Sequence, residues 1–379
     1  MTTTSSSVDP GSVADPINQQ ILAVSEDRIQ GFDPKPLHTI ADLAGLELNL
    51  VIERLQAMLR AGAIRRIRQT LLATSLAPGA LVAWKLPPKK LTEAFEFMAQ
   101  QDPFSGHIVT RTTDRETPGS QYRLWTTLKV PVGYSMTKHA DYLAAQTGAE
   151  AYRLLPAKKL FALGVGHVRR KGLEPGSRSD EPGRVIDTNV VHLDDRQWRV
   201  LTALKREFEP DELVPDLWVA RADEAGETLD GFLEVAKGLA EAGVVGRFST
   251  FLEHVKPHSD GQRVTRFNAL FHWKVPQGRE IDAGREVGRH HCMTHAYWRE
   301  GGPEFADVNV MGVAHGTEKE KVLAHKGAID EHLEEAGIAV EYTNVFWGGR
   351  SEITPSEISP LAYAAWCGQR GLDPEAMKG

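Results

Sequence analysis

The chain is written twice. Leu59-Arg-Ala-Gly-Ala-Ile-Arg-Arg-Ile-Arg68 returns as Ala240-Glu-Ala-Gly-Val-Val-Gly-Arg-Phe-Ser249, with Gly62 over Gly243 and Arg66 over Arg247. Ala83-Trp-Lys-Leu-Pro87 returns as His272-Trp-Lys-Val-Pro276. Self-similarity of this kind means one structural unit used more than once, and it limits the folds available more than any local motif does. The step from Trp84 to Trp273 is longer by eight than the step from Gly62 to Gly243. An insertion of that size is therefore expected in the second copy, and the polar run Lys256-Pro-His-Ser-Asp-Gly-Gln-Arg263 is the place for it, because a loop tip absorbs an insertion at least cost.

Each copy begins with apolar residues at helical spacing. In the first these are Ile17, Ile21, Leu22 and Val24, then Ile40, Leu43 and Ala44, then Val51, Leu55, Met58 and Leu59. A tight turn near Gly45 between short helices predicts a helix-turn-helix module. In the second copy Trp198, Leu201 and Leu204 share one helix and Phe232, Val235 and Leu239 another, while 207–229 is too irregular to place. Strand-like runs follow. Ile67–Thr74 and Leu81–Leu86 read as a hairpin closed by Pro87. A helix is expected at 91–100, strands at 108–113 and 122–130, a helix at 136–148 and a strand at 151–155. The second copy gives strands near 246–254, 265–275, 292–299, 306–315 and 338–346, and helices near 279–288 and 317–336. This β-β-α-β-β-α-β order predicts an α+β fold, a tandem repeat of winged helix-turn-helix plus a ferredoxin-like sandwich. The expected divisions are a disordered N-terminus 1–14, helix-turn-helix modules 15–64 and 192–245, ferredoxin-like modules 65–165 and 246–350, a Gly/Pro/Arg-rich linker 166–191, and a C-terminal helix and tail 351–379.

Composition narrows the function classes. A hydrophobic fraction of 41% with 25% charged residues is that of an ordinary globular chain. No apolar run approaches the ~20 residues of a membrane helix. Two cysteines, Cys292 and Cys367, support neither a disulfide framework nor a cysteine zinc cage, and a cytoplasmic location is expected. The net charge of −7 argues against DNA, which is held largely through phosphate contacts.

Strand alternation suggests a polar face. In 291–299 it puts His291, Met293, His295, Tyr297 and Arg299 on one side, and in 307–315 it puts Asp307, Asn309, Met311, Val313 and His315 together. The second stretch reads Val308-Asn-Val-Met-Gly-Val-Ala-His-Gly316 and the first contains Thr294-His-Ala-Tyr-Trp-Arg299. With Gly-Ala-Ile-Arg-Arg-Ile at the helix–strand junction, these stretches resemble the Lrp/AsnC family, and more closely its siroheme decarboxylase branch in the alternative haem and haem d1 pathways. The resemblance covers about 15–165 and 190–346, in the manner of two paralogous subunits fused. It departs at Val308, where the branch carries Tyr.

The resemblance implies a carbon–carbon lyase that converts siroheme to 12,18-didecarboxysiroheme by removing two acetate carboxylates. His295 and His315 would then handle protons, and Tyr297, Arg299 and Asn309 would hold acetates. Aligned on Thr110 and Thr294, the first copy places Arg111 at His295, Arg115 at Arg299, Arg123 at Asn309 and Lys129 at His315. It would thus serve as a cationic clamp for carboxylates, to which arginine is well matched. No cofactor beyond the substrate's own iron is implied, and no metal site: alternation separates Cys292 from His291 and His295. The two copies are expected to act as an intramolecular pseudo-dimer, with a homodimer of chains also open. Two other readings compete. One is an Lrp/AsnC-type transcriptional regulator, disfavoured by the acidic Glu47–Arg54 segment and by Asp223, Glu224, Glu227 and Asp230. The other is a tetrapyrrole sensor or carrier.

Overall fold

In this computed structural model, residues 9–72, 76–163, 173–187, 190–252, 267–354 and 357–379 are described. The expected insertion at 256–263, the last two residues of the expected strand 67–74 and most of 1–14 lie outside them, as does part of the 166–191 linker. The chain forms two compact units, one of residues 1–73 with 191–264 and one of 74–190 with 265–379.

The first unit holds the helical segments of both copies. From the first come α1 (Pro16–Ser25), α2 (Pro36–Ala44) and α3 (Leu48–Arg60), with a two-residue strand β1 (Ile29–Gln30). Asp15 starts α1 by accepting from the backbone of Ile17 and Asn18. From the second copy come α6 (Asp195–Lys205), α7 (Val219–Ala225) and α8 (Leu229–Glu241). α2 ends at Gly45 with φ 67° and α7 at Gly226 with φ 70°, a left-handed cap natural to glycine. The step from Gly45 to Gly226 equals that from Gly62 to Gly243, so the turn between helices is part of the repeat. The irregular stretch before α8 is fixed by charge: the fully buried Arg221 donates to Glu212 at 2.9 and 3.0 Å and lies over Phe208, and Arg206 also reaches Glu212.

The expected hairpin does not form. β2 (Ile64–Leu71) pairs instead with its own repeat, β8 (Val245–Leu252), in antiparallel register through Ile67 and Thr250. β3 (Gly79–Lys85) pairs in the other unit. The apolar side of β2, with Ile64 and Ile67 buried, is satisfied by its equivalent strand rather than by its neighbour in sequence. Arg66 on the same strand is buried and ion-paired with Glu207 at 2.9 Å.

The second unit is one nine-stranded sheet with helices on one face. Its first half contains β3, α4 (Leu91–Gln101), β4 (Ser105–Thr112), β5 (Tyr122–Lys129), α5 (Met136–Thr147), β6 (Ala151–Pro156) and β7 (Lys159–Leu163). Its second half contains β9 (Phe267–Lys274), α9 (Glu280–Gly288), β10 (Met293–Trp298), β11 (Val310–Gly316), α10 (Lys319–Glu335) and β12 (Tyr342–Ile353), and α11 (Pro360–Gln369) closes the chain. The strand order is β6-β3-β5-β4-β12-β9-β11-β10-β7. Each half thus has the 4-1-3-2 order of a ferredoxin-like sandwich.

β7 and the far end of β12, neither expected from sequence, join the halves. β12 pairs β9 over Tyr342–Trp347 and then crosses to β4 over Trp347–Ile353. The equivalent strand of the first half breaks at residues 157–158: β6 pairs β3, and β7 pairs β10. The three Cα steps from Pro156 to Lys159 span at most about 11 Å, yet β6 and β7 are the two ends of the sheet. The sheet must curl until its edges meet.

Its outer face packs on the helices. Trp84, Phe95, Ile108 and Leu143 belong to one apolar cluster, and Phe271, Trp273, Val287 and Ile329 to the other. The repeated Trp84 and Trp273 are both fully buried there, donating to Thr126 and Asp330. The inner face has its own cluster drawn from both halves, with Ala83, Val109, Trp125 and Leu155 beside Leu270, Met311 and Phe346.

Candidate active site

The inner face of the sheet carries the polar residues, and strand register decides which ones. On β10, His295 and Tyr297 face inward, paired with Val313 and Met311 of β11. Their rings lie 6.0 Å apart and within 12° of parallel, and the Arg299 guanidinium covers Tyr297 at 4.4 Å. His315 stands two residues beyond Val313 on β11, diagonal to His295 and on the same face. Both histidines are half-buried, and the ring nitrogens of His315 are themselves covered.

Two residues leave the face that simple alternation gave them. A bulge at Thr294 shifts the register between Met293 and His295, so Met293 turns outward into the core under the helices. Ala306 and Asp307 adopt left-handed φ of 55° and 53°, and β11 begins only at Val310. Asn309 therefore does not join the histidines. Its Oδ1 accepts from Val275 N–H at 2.9 Å, and its Nδ2 donates to the Val275 carbonyl at 2.9 Å and to Glu280 at 3.3 Å. It ties the end of β9 to the start of α9.

The first half needs a larger correction. Val109 pairs Trp125, and Tyr297 pairs Met311. Trp125 pairs Ala83, and Met311 pairs His272, with the repeated Trp84 and Trp273 next along β3 and β9. Val109 hence occupies the place of Tyr297, Arg111 that of Arg299, and His107 that of His295. The bulge is repeated too, between Ser105 and Ile108. Each half reads His-x-x-x-Arg, at 107–111 and 295–299, and the step between these motifs is one short of the step between the tryptophans. Matching Thr110 to Thr294 slid this strand four residues out of register. Lys129 at His315 and Arg123 at Asn309 agree with the β5 and β11 pairings.

The arginines confirm the equivalence by what they touch. Arg299 donates to the carbonyl of Leu155 on β6, and Arg111 donates to the carbonyl of Phe346 on β12 at 3.3 Å. Leu155 and Phe346 pair with Leu81 and Leu270, which are themselves equivalent. Each half thus sends a guanidinium across to the other half's last strand. Both are buried, at 4% and 8% exposure, and among the described residues no carboxylate pairs with either. Burial pulls Arg111 down to about 9 and lowers Arg299, partly offset there by Tyr297. Burial in turn raises the Tyr297 phenol. A buried cation without a counter-ion is costly. It is a standing demand for an anion.

Arg111 also reaches Asn268 Oδ1 at 3.4 Å, and Asn268 pairs His315. Between them runs Gly348, paired with Arg111, where an added Cβ would sit 3.1 Å from the Asn268 Cβ. The absent side chain opens a row running Arg111, Asn268, His315. Near it the fully buried His272 is held neutral, its pKa pushed down to about 3 by burial and by Arg111. The remaining expected residues lie at the rim. Arg123 is exposed and donates to the Arg111 carbonyl at 2.8 Å, Arg115 is exposed beyond β4, and Lys129 closes β5 at the opposite end. His290 and His291 are elsewhere, the first against His332 and the second bonded to Ser177 and Ser179.

Known proteins share this fold. Residues 76–162 match the AsnC-like ligand binding domain. The crystal structure of the siroheme decarboxylase NirDL superposes with a TM-score of 0.66 at 19% identity, covering 93% of this chain and 98% of that one. NirDL in co-complex with an iron-uroporphyrin III analogue gives 0.65 at 18%, covering 93% and 99%. A siroheme decarboxylase beta subunit of Desulfovibrio desulfuricans is 27% identical over 114 residues, which are 30% of this chain and 67% of that protein. The chain is thus similar in fold to a siroheme decarboxylase over nearly all its length, and in sequence to a subunit of another over part of it. The fold shared with NirDL extends over nearly the full length of both chains, so the second copy, which the domain match does not reach, belongs to the same architecture.

Proposed function

We propose that this chain decarboxylates siroheme, removing two acetate carboxylates as carbon dioxide and leaving methyl groups. The carrying observation is the inner face of the curled sheet, where His295, Tyr297 and Arg299 stack beside His315, facing a buried Arg111 that has no carboxylate partner among the described residues. Siroheme presents many carboxylates around a flat apolar ring. Leu81 and Val313, partly buried over the cluster of Leu270, Met311 and Phe346, offer apolar surface, and the arginines suit carboxylates through their bidentate fork.

Loss of carbon dioxide leaves the bonding electron pair on the methylene carbon, which must take a proton. A histidine can give that proton and regain it from water. His295 and His315 are our candidates for this step, with Tyr297 and Arg299 orienting the acetate and Arg111 and Asn268 holding a second carboxylate. Arg115, Arg123 and Lys129 would contact carboxylates at the rim. The iron arrives with the substrate, and no further cofactor is required.

The helical modules fit a scaffold better than a DNA reader. The exposed side of α8 presents Asp230, Glu234 and Glu241 against Lys237, and that of α3 presents Glu53 and an Arg60 that is ion-paired with Asp211. We further propose a cytoplasmic enzyme whose repeats act as a pseudo-dimer in one chain, of which no described helix is long and apolar enough to cross a membrane. Anaerobic incubation with siroheme and mass spectrometry tests the proposal. Two successive losses of carbon dioxide are expected, and an unchanged substrate would refute it.

A further inference from the structure

Arg66 and Arg247 recur at the same place in the two copies, and the site on the curled sheet uses neither. The ribbon of β2 and β8 brings them to one face. Arg66 pairs Phe251 and Arg68 pairs Ser249, and along β8 Arg247 and Ser249 alternate to the side of Phe251. The step from Arg66 to Arg247 also carries Arg68 to Ser249. That pair therefore joins equivalent positions and marks the local two-fold of the ribbon. The opposite face is closed, with Ile67, Gln69, Phe248 and Thr250 buried and Phe248 against Phe208 and Trp218. The arginine face is open: Arg68, Arg247 and Phe251 are each partly exposed. Guanidiniums from both strands converge on the Phe251 ring, Arg68 at 5.6 Å and Arg247 at 6.0 Å from its centroid.

Glu207 pairs Arg66 at 2.9 Å, and Arg247 Nε donates to the Glu26 carbonyl at 3.2 Å. Between them, Arg68 Nε is buried with no acceptor among the described residues. Burial first, and then Arg66 and Arg65, hold the Arg68 pKa below its ordinary value, with Glu207 opposing them. Like charges gathered in one place repel, and a multiply charged anion turns that repulsion into attraction. A carboxylate brings one negative charge, whereas a phosphate group brings about 1.5–2 at pH 7. Arginine's fork also takes phosphate oxygens in pairs. We propose that this face of the ribbon binds a small ligand carrying linked phosphate groups, with Arg68 as its central donor, Arg66 and Arg247 on either side and Phe251 beneath. These residues all lie in the helical unit, apart from those assigned to siroheme, so the inference does not depend on that activity.

Isothermal titration of the full chain with sodium tripolyphosphate, at an ionic strength held constant with sodium chloride, tests the inference. The wild type should bind one equivalent and melt at a higher temperature with the ligand. Arg68→Gln should weaken binding about tenfold or more. Without ligand it should melt no lower than the wild type, because it relieves repulsion. Arg68→Lys keeps the charge without the fork, and its affinity should fall between the two, which preserves the test should Arg68→Gln fail to fold. Arg111→Met should bind tripolyphosphate as the wild type does. No binding by the wild type, or wild-type affinity in both Arg68 variants, overturns the inference. So does loss of binding in Arg111→Met with the Arg68 variants unaffected, which would place the anion in the curled sheet.

Discussion

On β10 a histidine, a tyrosine and an arginine stand one after another along the inner face. On β4 the same places hold His107, Val109 and Arg111. The arginines have kept the same partner, a carbonyl on the opposite half's last strand. The aromatic between histidine and arginine is missing from the first half, and with it the stack that makes His295, Tyr297 and Arg299 continuous. What is common to both halves is the seam that closes the sheet, and what differs is the set we propose to move a proton and orient an acetate.

The comparison breaks most sharply at the histidines. Replacing both His295 and His315 by Ala should lower decarboxylation by about 10²–10⁴-fold, the usual range for a general acid, while tetrapyrrole binding persists. Mass spectrometry and spectral titration separate the two effects. A smaller contrast is expected between the arginines. Arg111→Met removes a buried cation that has no carboxylate partner among the described residues, so the ligand-free protein should melt no lower than the wild type while tetrapyrrole affinity falls ten- to a hundredfold. Arg299→Met strips the cover from Tyr297, a contact worth roughly 0.5–2 kcal/mol, and should lower both affinity and melting temperature. Equal melting behaviour in the two variants would remove the distinction between them.

Gly348→Val should act through Asn268 alone. The new side chain meets the Asn268 Cβ, breaks the row from Arg111 to His315, and should cost about 1–3 kcal/mol by overpacking, read by thermal melting.

The smallest effect concerns pH. His272 is buried neutral with its pKa pushed down to about 3, against about 6.5 when unfolded. Its folded pKa is depressed, so between those values the unfolded chain binds the extra proton and stability falls as pH falls. The first half has Ala83 at this place and contributes nothing. His272→Phe should flatten the acid limb of a stability–pH profile below about pH 6.5, and an unchanged slope would contradict the assignment.

Much of this was legible in the sequence. Periodicity marks α4, α5, α9 and α10, because each buries one regular stripe, and apolar runs mark the central strands. The repeat carries the helix-turn-helix units, including the paired turns at Gly45 and Gly226. Three things were not legible. The pairing of β2 with β8 joins strands from different copies, and no local pattern announces a partner that distant in the chain. The crossing of β12 to β4, and the equivalent β7, depend on the curl of the whole sheet. The correct match of β4 to β10 turned on bulges, which break alternation by one residue. The recurrence of His-x-x-x-Arg, at nearly the same step as Trp84 to Trp273, was the available signal, hidden by the resemblance of Thr110 to Thr294. Asn268 and His272 were missed because a strand buried on both faces gives no cue to which polar residue faces a ligand.

The central claim is that the second half's histidines perform chemistry on a carboxylate-bearing ring held by buried cations. Anaerobic turnover of siroheme by the wild type and by the His295→Ala, His315→Ala double variant, followed by product mass, tests it most directly. The account predicts loss of two carbon dioxide molecules with the wild type and unchanged siroheme, still bound, with the variant. Undiminished loss in the variant, or none in the wild type, would contradict it.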